Sequence, residues 1–347
     1  MPRASIRIGN TQVKPGSRET IDLPLGQLYT HNPITMPVHV VHGKRPGPTL
    51  FVSAAVHGDE LNGIEIIRRV LLRRHLQRLK GTLIAVPMVN VLGVLHMSRY
   101  LPDRRDLNRN FPGSERGSLA ARQAHLFMRE IVSKANYGID LHTAAIHRSN
   151  LPQIRANLDD PEVMELAEAF GAPVMMSSDL REGSLREQAS AKGIKTLLYE
   201  AGEALRFDEV SIRAGERGVI NVMRKLDMLS PTRRRKTQKQ PVVARSSLWV
   251  RAPASGIVRM NLALGAHVKK GQVLGRIADP FGESQTEMHA PASGVLIGRS
   301  ELPLAYEGEA LFHIARFESA REAAASVEAF QSTHDPDANE YGEPPIR

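Results

Sequence analysis

From Pro48 to Leu229 the chain alternates apolar runs of strand length with longer stretches of helical period, which restricts it to α/β layers. "PTLFVSAAV" (48–56) is almost continuously apolar, the pattern of a strand covered on both faces. "IEIIRRVLLRRHLQRL" follows, with Ile64, Ile67, Leu71 and Leu72 at helical spacing, arginines opposite, and Gly81 as its stop. "TLIAVPMV" (82–89) reads as the next buried strand. Further on, "LAARQAHLFMREIVSKA" is a helix and "YGIDLHT" a short strand. "DPEVMELAEAFG" is a helix with Asp159 or Asp160 near its cap and Gly171 at its end. "LREQASAKG" is a helix, "IKTLLYEAG" a strand, and "DEVSIRAGERGVINVMRKLDML" a closing helix.

The flanks have a different texture. Residues 1–45 read as short strands and turns, so the first unit is set at 1–230 with its α/β core from about residue 40. Residues 231–247 form a basic linker; the stretch 230–247 holds six basic residues and no acid. From 248 to 315 the chain is short strands and glycine turns, and "RAPASGIV" (251–258) returns as "HAPASGVL" (289–296). Two β-rich halves sharing a motif imply a small pseudo-symmetric barrel or sandwich. Residues 316–347 are an acidic tail.

The formal net charge of +9 suggests nucleic acid at first sight. Much of it sits in the linker, and aromatics are only 5%, too few for a base-stacking surface, so no nucleic-acid partner is expected. No run of 18 apolar residues exists and the N-terminus lacks an apolar signal core, so the expectation is no membrane and a cytoplasmic location. The absence of cysteine excludes disulfides, thiolate metal sites and a cysteine nucleophile. Self-association into a homo-oligomer is left open.

Four short segments carry polar groups where apolar runs end. In "HGDE", His57 and Glu60 can offer an imidazole and a carboxylate to one ion, or can be a strand-end histidine and a helix-start acid. In "RRDLNRNFPG" (104–113), Asn108 and Arg109 could grip a carboxylate, since a guanidinium fork matches its two oxygens; otherwise this is a solvated basic loop. "DLHT" puts His142, and "LLYEAG" puts Glu200, at the carboxyl ends of strands, where α/β sheets place ligands. Taken singly, each is more often a satisfied core or turn residue. Together, His57, Glu60 and His142 make a two-histidine, one-carboxylate set that leaves a fourth zinc position for water, and Glu200 is a spare carboxylate for general base catalysis.

"HGDE", "DLNRNFPG", "DLHT" and "YEAG", in that order, resemble the succinylglutamate desuccinylase/aspartoacylase family of the zinc carboxypeptidase clan, over roughly residues 40–315. The resemblance implies a three-layer α/β/α zinc-hydrolase sandwich followed by an all-β, barrel-sandwich-like domain. It implies one Zn2+ per chain on His57, Glu60 and His142, with Glu200 activating water and passing its proton to the leaving amine. Asp106 would hydrogen-bond the free nitrogen of His57. Asn108 and Arg109 would hold the substrate carboxylate. An upstream arginine would polarise the scissile carbonyl: Arg99 in "SRY" is the choice and Arg105, otherwise a substrate-binding residue, the rival. His147 ranks below His142 as third ligand. The β-domain also resembles biotinyl and lipoyl carriers, yet "DPFGESQTEM" carries no lysine to modify, so a lid or packing role is expected.

The expected function is zinc-dependent hydrolysis of a small N-acyl amino acid, of N-acetyl or N-succinyl type, to a carboxylate and a free amine. The rivals are a metallocarboxypeptidase acting on a C-terminal residue, which an open groove would favour, and a non-catalytic binding module.

Overall fold

Why the alternating pattern leads to a polar crevice is clear once the strands are laid side by side in the computed structural model, which describes residues 3–178, 180–231 and 241–334. β1 (Ile6–Ile8) and β2 (Thr11–Val13) pair with each other, and β3 (Ser17–Gln27) and β4 (Pro33–His42) form a long antiparallel pair. Then come β5 (Arg45–Ala54), α1 (Asn62–Leu72), β6 (Lys80–Val86), α2 (Val91–Leu95), α3 (Leu119–Glu130) and β7 (Tyr137–Ala144). β8 (Arg148–Ala156), α4 (Pro161–Phe170), β9 (Val174–Ser177), α5 (Leu185–Ala191), β10 (Lys195–Glu203) and α6 (Glu209–Lys225) follow.

The parallel centre of the sheet is β6-β5-β7-β10, with β4 and β8 antiparallel on its two sides. Helices α1, α4 and α6 cover one face, where Ile66, Val70, Phe170 and Ile212 share a core with Val52, Leu141 and Tyr199. Helices α3 and α5 cover the other, where Phe127 and Leu185 share a core with Phe51 and Ile84. This is the expected three-layer α/β/α arrangement. Alternation along β10 sends Leu197 and Tyr199 into the first core, which leaves Glu200 to the opposite side.

The buried stripe of α1 differs from the expected one. It runs through Gly63, Ile66, Ile67 and Val70, while Leu72 is 67% exposed. The helix starts at Asn62 and meets the sheet at Gly63, where an added Cβ would lie 2.6 Å from the Ala54 Cβ and 2.8 Å from the Leu141 Cβ. That close contact sets the rotation of the helix, and burial of Ile66 and Ile67 stabilises it by roughly 1.5–3 kcal/mol each.

The C-terminal part is fused to the main sheet. β11 (Val242–Ala244) pairs with β9, so the end of the segment expected as linker is strand; residues 232–240 lie outside the described residues. β12 (Ser246–Arg251), β13 (Gly256–Met260), β14 (His267–Val268), β15 (Val273–Ala278), β16 (Gln285–His289), β17 (Gly294–Ser300), β18 (Leu304–Ala305) and β19 (Ala310–Arg316) form the β-rich part. The four-stranded sheet β16-β15-β13-β18 shares a core with residues of β12, β17 and β19, and the repeated motifs lead into β13 and β17. β17 pairs with β8 through Gly298↔Asn150 and Ser300↔Arg148, which makes one 13-stranded sheet of both parts. A helix, α7 (Ala320–His334), occupies part of the expected acidic tail and buries Ala323 and Val327 beside Val295 and Ile297; residues 335–347 lie outside the described residues. No helix among the described residues is long and apolar enough to cross a membrane.

Candidate active site

The question posed by "HGDE" is answered at the end of β5. Gly58 passes so close to α2 that a Cβ there would lie 2.0 Å from the Gly93 backbone, so only glycine fits. The turn, closed by Glu60 N donating to His57 O (3.2 Å), brings His57 and Glu60 to one side. Asn62 ties this corner to the next: its Nδ2 donates to Ala201 O at 3.2 Å, and its Oδ1 accepts from Asp208 N at 3.0 Å.

His57, Glu60 and His142 are buried, and one potential ligand atom of each lies within 4.8 Å of the others. Glu60 sits between the imidazoles, with Oε1 2.7 Å from His57 Nδ1 and Oε2 2.7 Å from His142 Nδ1. Thr143 N also donates to Glu60 Oε2, at 3.1 Å. The far nitrogens meet carboxylates as well. His57 Nε2 is 3.1 Å from Asp106 Oδ1, and His142 Nε2 is 2.7 Å from Asp140 Oδ2. Asp140 is itself fixed by Ser53 Oγ at 2.7 Å. Burial opposes charge on both imidazoles, but Glu60 with Asp106, and Asp140 with Glu60, raise His57 and His142 above the ordinary histidine range, His142 strongly. Burial likewise pushes the Glu60 and Asp106 carboxyls up, and the surrounding histidines, with Arg99 at Asp106, hold both far below their usual values.

A cavity of about 670 Å³ opens beside this cluster, lined by Arg99, Asn108, Arg109 and Glu200 among others. Glu200 stands next to His142 in register on the neighbouring parallel strand. Its Oε2 accepts from Asn150 Nδ2 at 2.8 Å and lies 3.4 Å from Arg155 Nη2. Arg99 reaches Glu60 Oε1 at 3.3 Å and Asp106 Oδ2 at 3.1 Å. Asn108 is buried, with Oδ1 accepting from Leu185 N at 2.9 Å, and Arg109 donates to the Asn108 carbonyl. Arg105 is not brought to the cavity. Its side chain is 57% exposed and faces Asp103 at 3.8 Å. His147 lies outside the cluster, in the turn after β7, its backbone N–H given to Glu203.

Several residues of the site escaped the sequence reading, Asp140 behind His142 and others lining the cavity. Asp140 was detectable, since i and i+2 on a strand share a face and Asp140 precedes His142 by two. Asn150 and Arg155 sit on β8, where Pro152 obscures a strand pattern. Ser247 and Trp249 come from β12, about a hundred residues further along the chain.

The family profile described as the succinylglutamate desuccinylase/aspartoacylase catalytic domain matches residues 46–226. The chain belongs to that family. It is similar to the N-alpha-acetyl-L-2,4-diaminobutyric acid deacetylase of Halomonas elongata, 29% identical over 278 residues that cover 77% of this chain and 81% of the relative. The solved succinylglutamate desuccinylase/aspartoacylase from Rhodobacter sphaeroides superposes with a TM-score of 0.77 at 25% identity, covering 86% of this chain and 96% of that one. The product-bound ectoine utilization protein EutE (DoeB) from Ruegeria pomeroyi shares the fold with a TM-score of 0.78 at 22% identity, covering 91% and 98%.

Proposed function

We propose that the chain is a zinc-dependent deacylase that hydrolyses the amide bond of a small N-acyl amino acid, with His57, Glu60 and His142 as the metal ligands. The observation that carries this is the charge arrangement of the cluster. Each imidazole has a carboxylate oxygen at both ring nitrogens, whereas a neutral imidazole donates from only one. Four carboxylate oxygens facing four ring nitrogens call for positive charge between Glu60 and the two imidazoles, which a divalent cation would supply. Asp106 and Asp140 would then keep the outer nitrogens protonated and the inner ones directed at the ion. Cysteine-free, nitrogen- and oxygen-rich, the donor set suits Zn2+.

When bound, zinc supplies a lowered pKa for water and polarisation of a carbonyl. Glu200, beside His142 and open to the cavity, takes the proton from the attacking water and delivers it to the leaving amine nitrogen. Asn150 and Arg155 hold its carboxylate in place. Arg109 receives the substrate α-carboxylate, with the Asn108 amide beside it. Arg99, fixed between Glu60 and Asp106, is the arginine placed to stabilise charge on the carbonyl oxygen; Arg105 is too far out.

A deacetylase activity named for the Halomonas relative supports amide hydrolysis on an N-acyl amino acid. The cavity is walled by β12 of the C-terminal part, which favours a small substrate over a peptide. We place the protein in the cytoplasm, as a catalytic unit (1–230) completed by its β-domain. Release of free amine from a panel of N-acetyl and N-succinyl amino acids, with zinc present, tests the reading. No release from any member would refute it.

A further inference from the structure

Gly298 stands in the middle of a row that crosses the sheet between the two parts of the chain. Its register partner on β8 is Asn150 and on β19 is His313, and His313 pairs in turn with Trp249 on β12. Register partners send their side chains to one face of a sheet, and here that face is the cavity side, which Asn150 and Trp249 line. A glycine inside a strand costs conformational entropy and gives up packing, so its place at a buried position of β17 needs a reason. Backbone geometry is not that reason. A register shift falls between Leu296 and Gly298, yet the φ of Gly298 is not in the left-handed region.

What a side chain at 298 would meet is specific. An added Cβ would lie 2.9 Å from Asn150 Oδ1 and 3.2 Å from the His313 Cβ. The His313 side is braced. His313 is buried, its ring stacks on Trp249 with centroids 4.4 Å apart and planes 8° from parallel, and the Arg148 guanidinium lies over Trp249, 5.2 Å from the ring centre. The Asn150 amide, by contrast, ends a rotatable side chain and is the group that would move. Its orientation is dictated by Glu200. A carboxylate only accepts, so Nδ2 is given to Glu200 Oε2 at 2.8 Å and Oδ1 is turned toward β17, where Gly298 leaves it space. Arg155 meets the same oxygen at 3.4 Å, which leaves Oε1 to take a proton.

Resting on the deacylase reading, we infer that Gly298 is a positioning residue for the general base and acts through Asn150. It does not line the cavity. It keeps open the space in which the Asn150 amide aims at Glu200, so the C-terminal part sets a carboxylate two strands away, across β8 on β10.

Gly298→Ala, Asn150→Ala and the double variant are compared with the wild type as full-length proteins with zinc, on the N-acetyl or N-succinyl amino acid that the wild type hydrolyses. Gly298→Ala should lower kcat about 10–100-fold, the worth of one hydrogen bond to a charged group, with KM within about twofold. Asn150→Ala should lose a similar amount. The double variant should be no slower than the slower single one, because both changes remove the same contact. A glycine that merely braced the sheet would add its loss to that of Asn150→Ala. Losses that multiply in the double variant, a wild-type kcat in Gly298→Ala or Asn150→Ala, or a loss confined to KM overturn the inference. If Gly298→Ala does not fold, the double variant decides. Recovered folding there supports the Asn150 amide as the group the glycine makes room for, and no recovery overturns the inference. A crystal structure of metal-free Gly298→Ala needs neither zinc nor turnover. The Asn150 Nδ2 to Glu200 Oε2 distance should exceed about 3.5 Å in it, and a contact kept at hydrogen-bond distance overturns the inference. If the wild type hydrolyses no panel member, the deacylase reading fails, and the crystal structure still decides whether Gly298 places Asn150 against Glu200.

Discussion

Glu200 and His142 are register partners on adjacent parallel strands, so the proposed base and the proposed metal ligand are set side by side by the hydrogen bonds of the sheet itself. No loop has to close to bring them together. Glu200→Gln keeps the shape and the Asn150 contact but cannot take a proton. It should lower kcat by roughly two orders of magnitude or more while zinc stays bound. Metal analysis and turnover measured on the same sample check this, and a near wild-type rate at full zinc would exclude Glu200 as the base.

The ligand set is tested by metal content. Purified protein should carry one zinc per chain, lose activity on chelation and regain it with zinc. His57→Ala removes a proposed ligand and leaves Glu60 without one of its two imidazoles. That variant should bind little zinc and be nearly inactive. Full occupancy in it would sink the assignment of His57.

Asp140→Asn keeps the bulk behind His142 but removes the charge that fixes its outer nitrogen. Loss of such a partner typically weakens metal affinity by about 10–100-fold. A competition titration against a chromophoric chelator reads the change directly. An unchanged affinity would mean that Glu60 and the strand backbone hold His142 in place without the Asp140 charge.

Arg109→Ala should act mainly on KM, because the proposed contact with the substrate carboxylate would be made before and during reaction alike. A rise in KM with a smaller fall in kcat is expected. If KM does not move, the α-carboxylate is held by another of the cavity arginines.

The legible part of this molecule was the part written in local patterns. Apolar runs and caps such as Asp160 and Gly171 gave the central strands and helices. His57, Glu60, His142 and Glu200 were visible because each lies near the carboxyl end of an apolar strand or in the turn that leads from it to the next helix. What stayed hidden depends on distant pairing. β8 contains Pro152 and polar residues, and is buried only because β10 and β17 flank it. Trp249 reaches the cavity through a sheet that runs on from one part of the chain to the other, which no local period reports. Arg105 was a rival to Arg99 by proximity in sequence, but the turn after Leu101 carries it outward to Asp103.

The stack beneath Arg148 should also be visible in the acid limb of stability. His313 is 4% exposed, its Nδ1 has no hydrogen-bond partner, and burial, with Arg155 adding repulsion, pushes its imidazole down to about 4. In the unfolded chain the same group titrates near the usual 6.5. Between these values the unfolded state binds a proton that the folded state refuses, so stability is complete above about pH 6.5 and falls as pH drops toward about 4. For one such group the loss at about pH 5 is about 2 kcal/mol. His334, also buried and pushed down to about 4, adds a second loss of the same sign. His313→Phe keeps an aromatic ring under Trp249 and removes the titration. Urea midpoints at about pH 7.5 and pH 5 should therefore lie closer together in His313→Phe than in the wild type, by roughly that 2 kcal/mol once converted with the m-value. Any constant packing cost of the new ring, and the contribution of His334, cancel in the difference between the two pH values. An equal acid shift in both proteins would show that His313 takes up its proton in the fold as readily as in the unfolded chain, so that Trp249 rests on a cation at about pH 5.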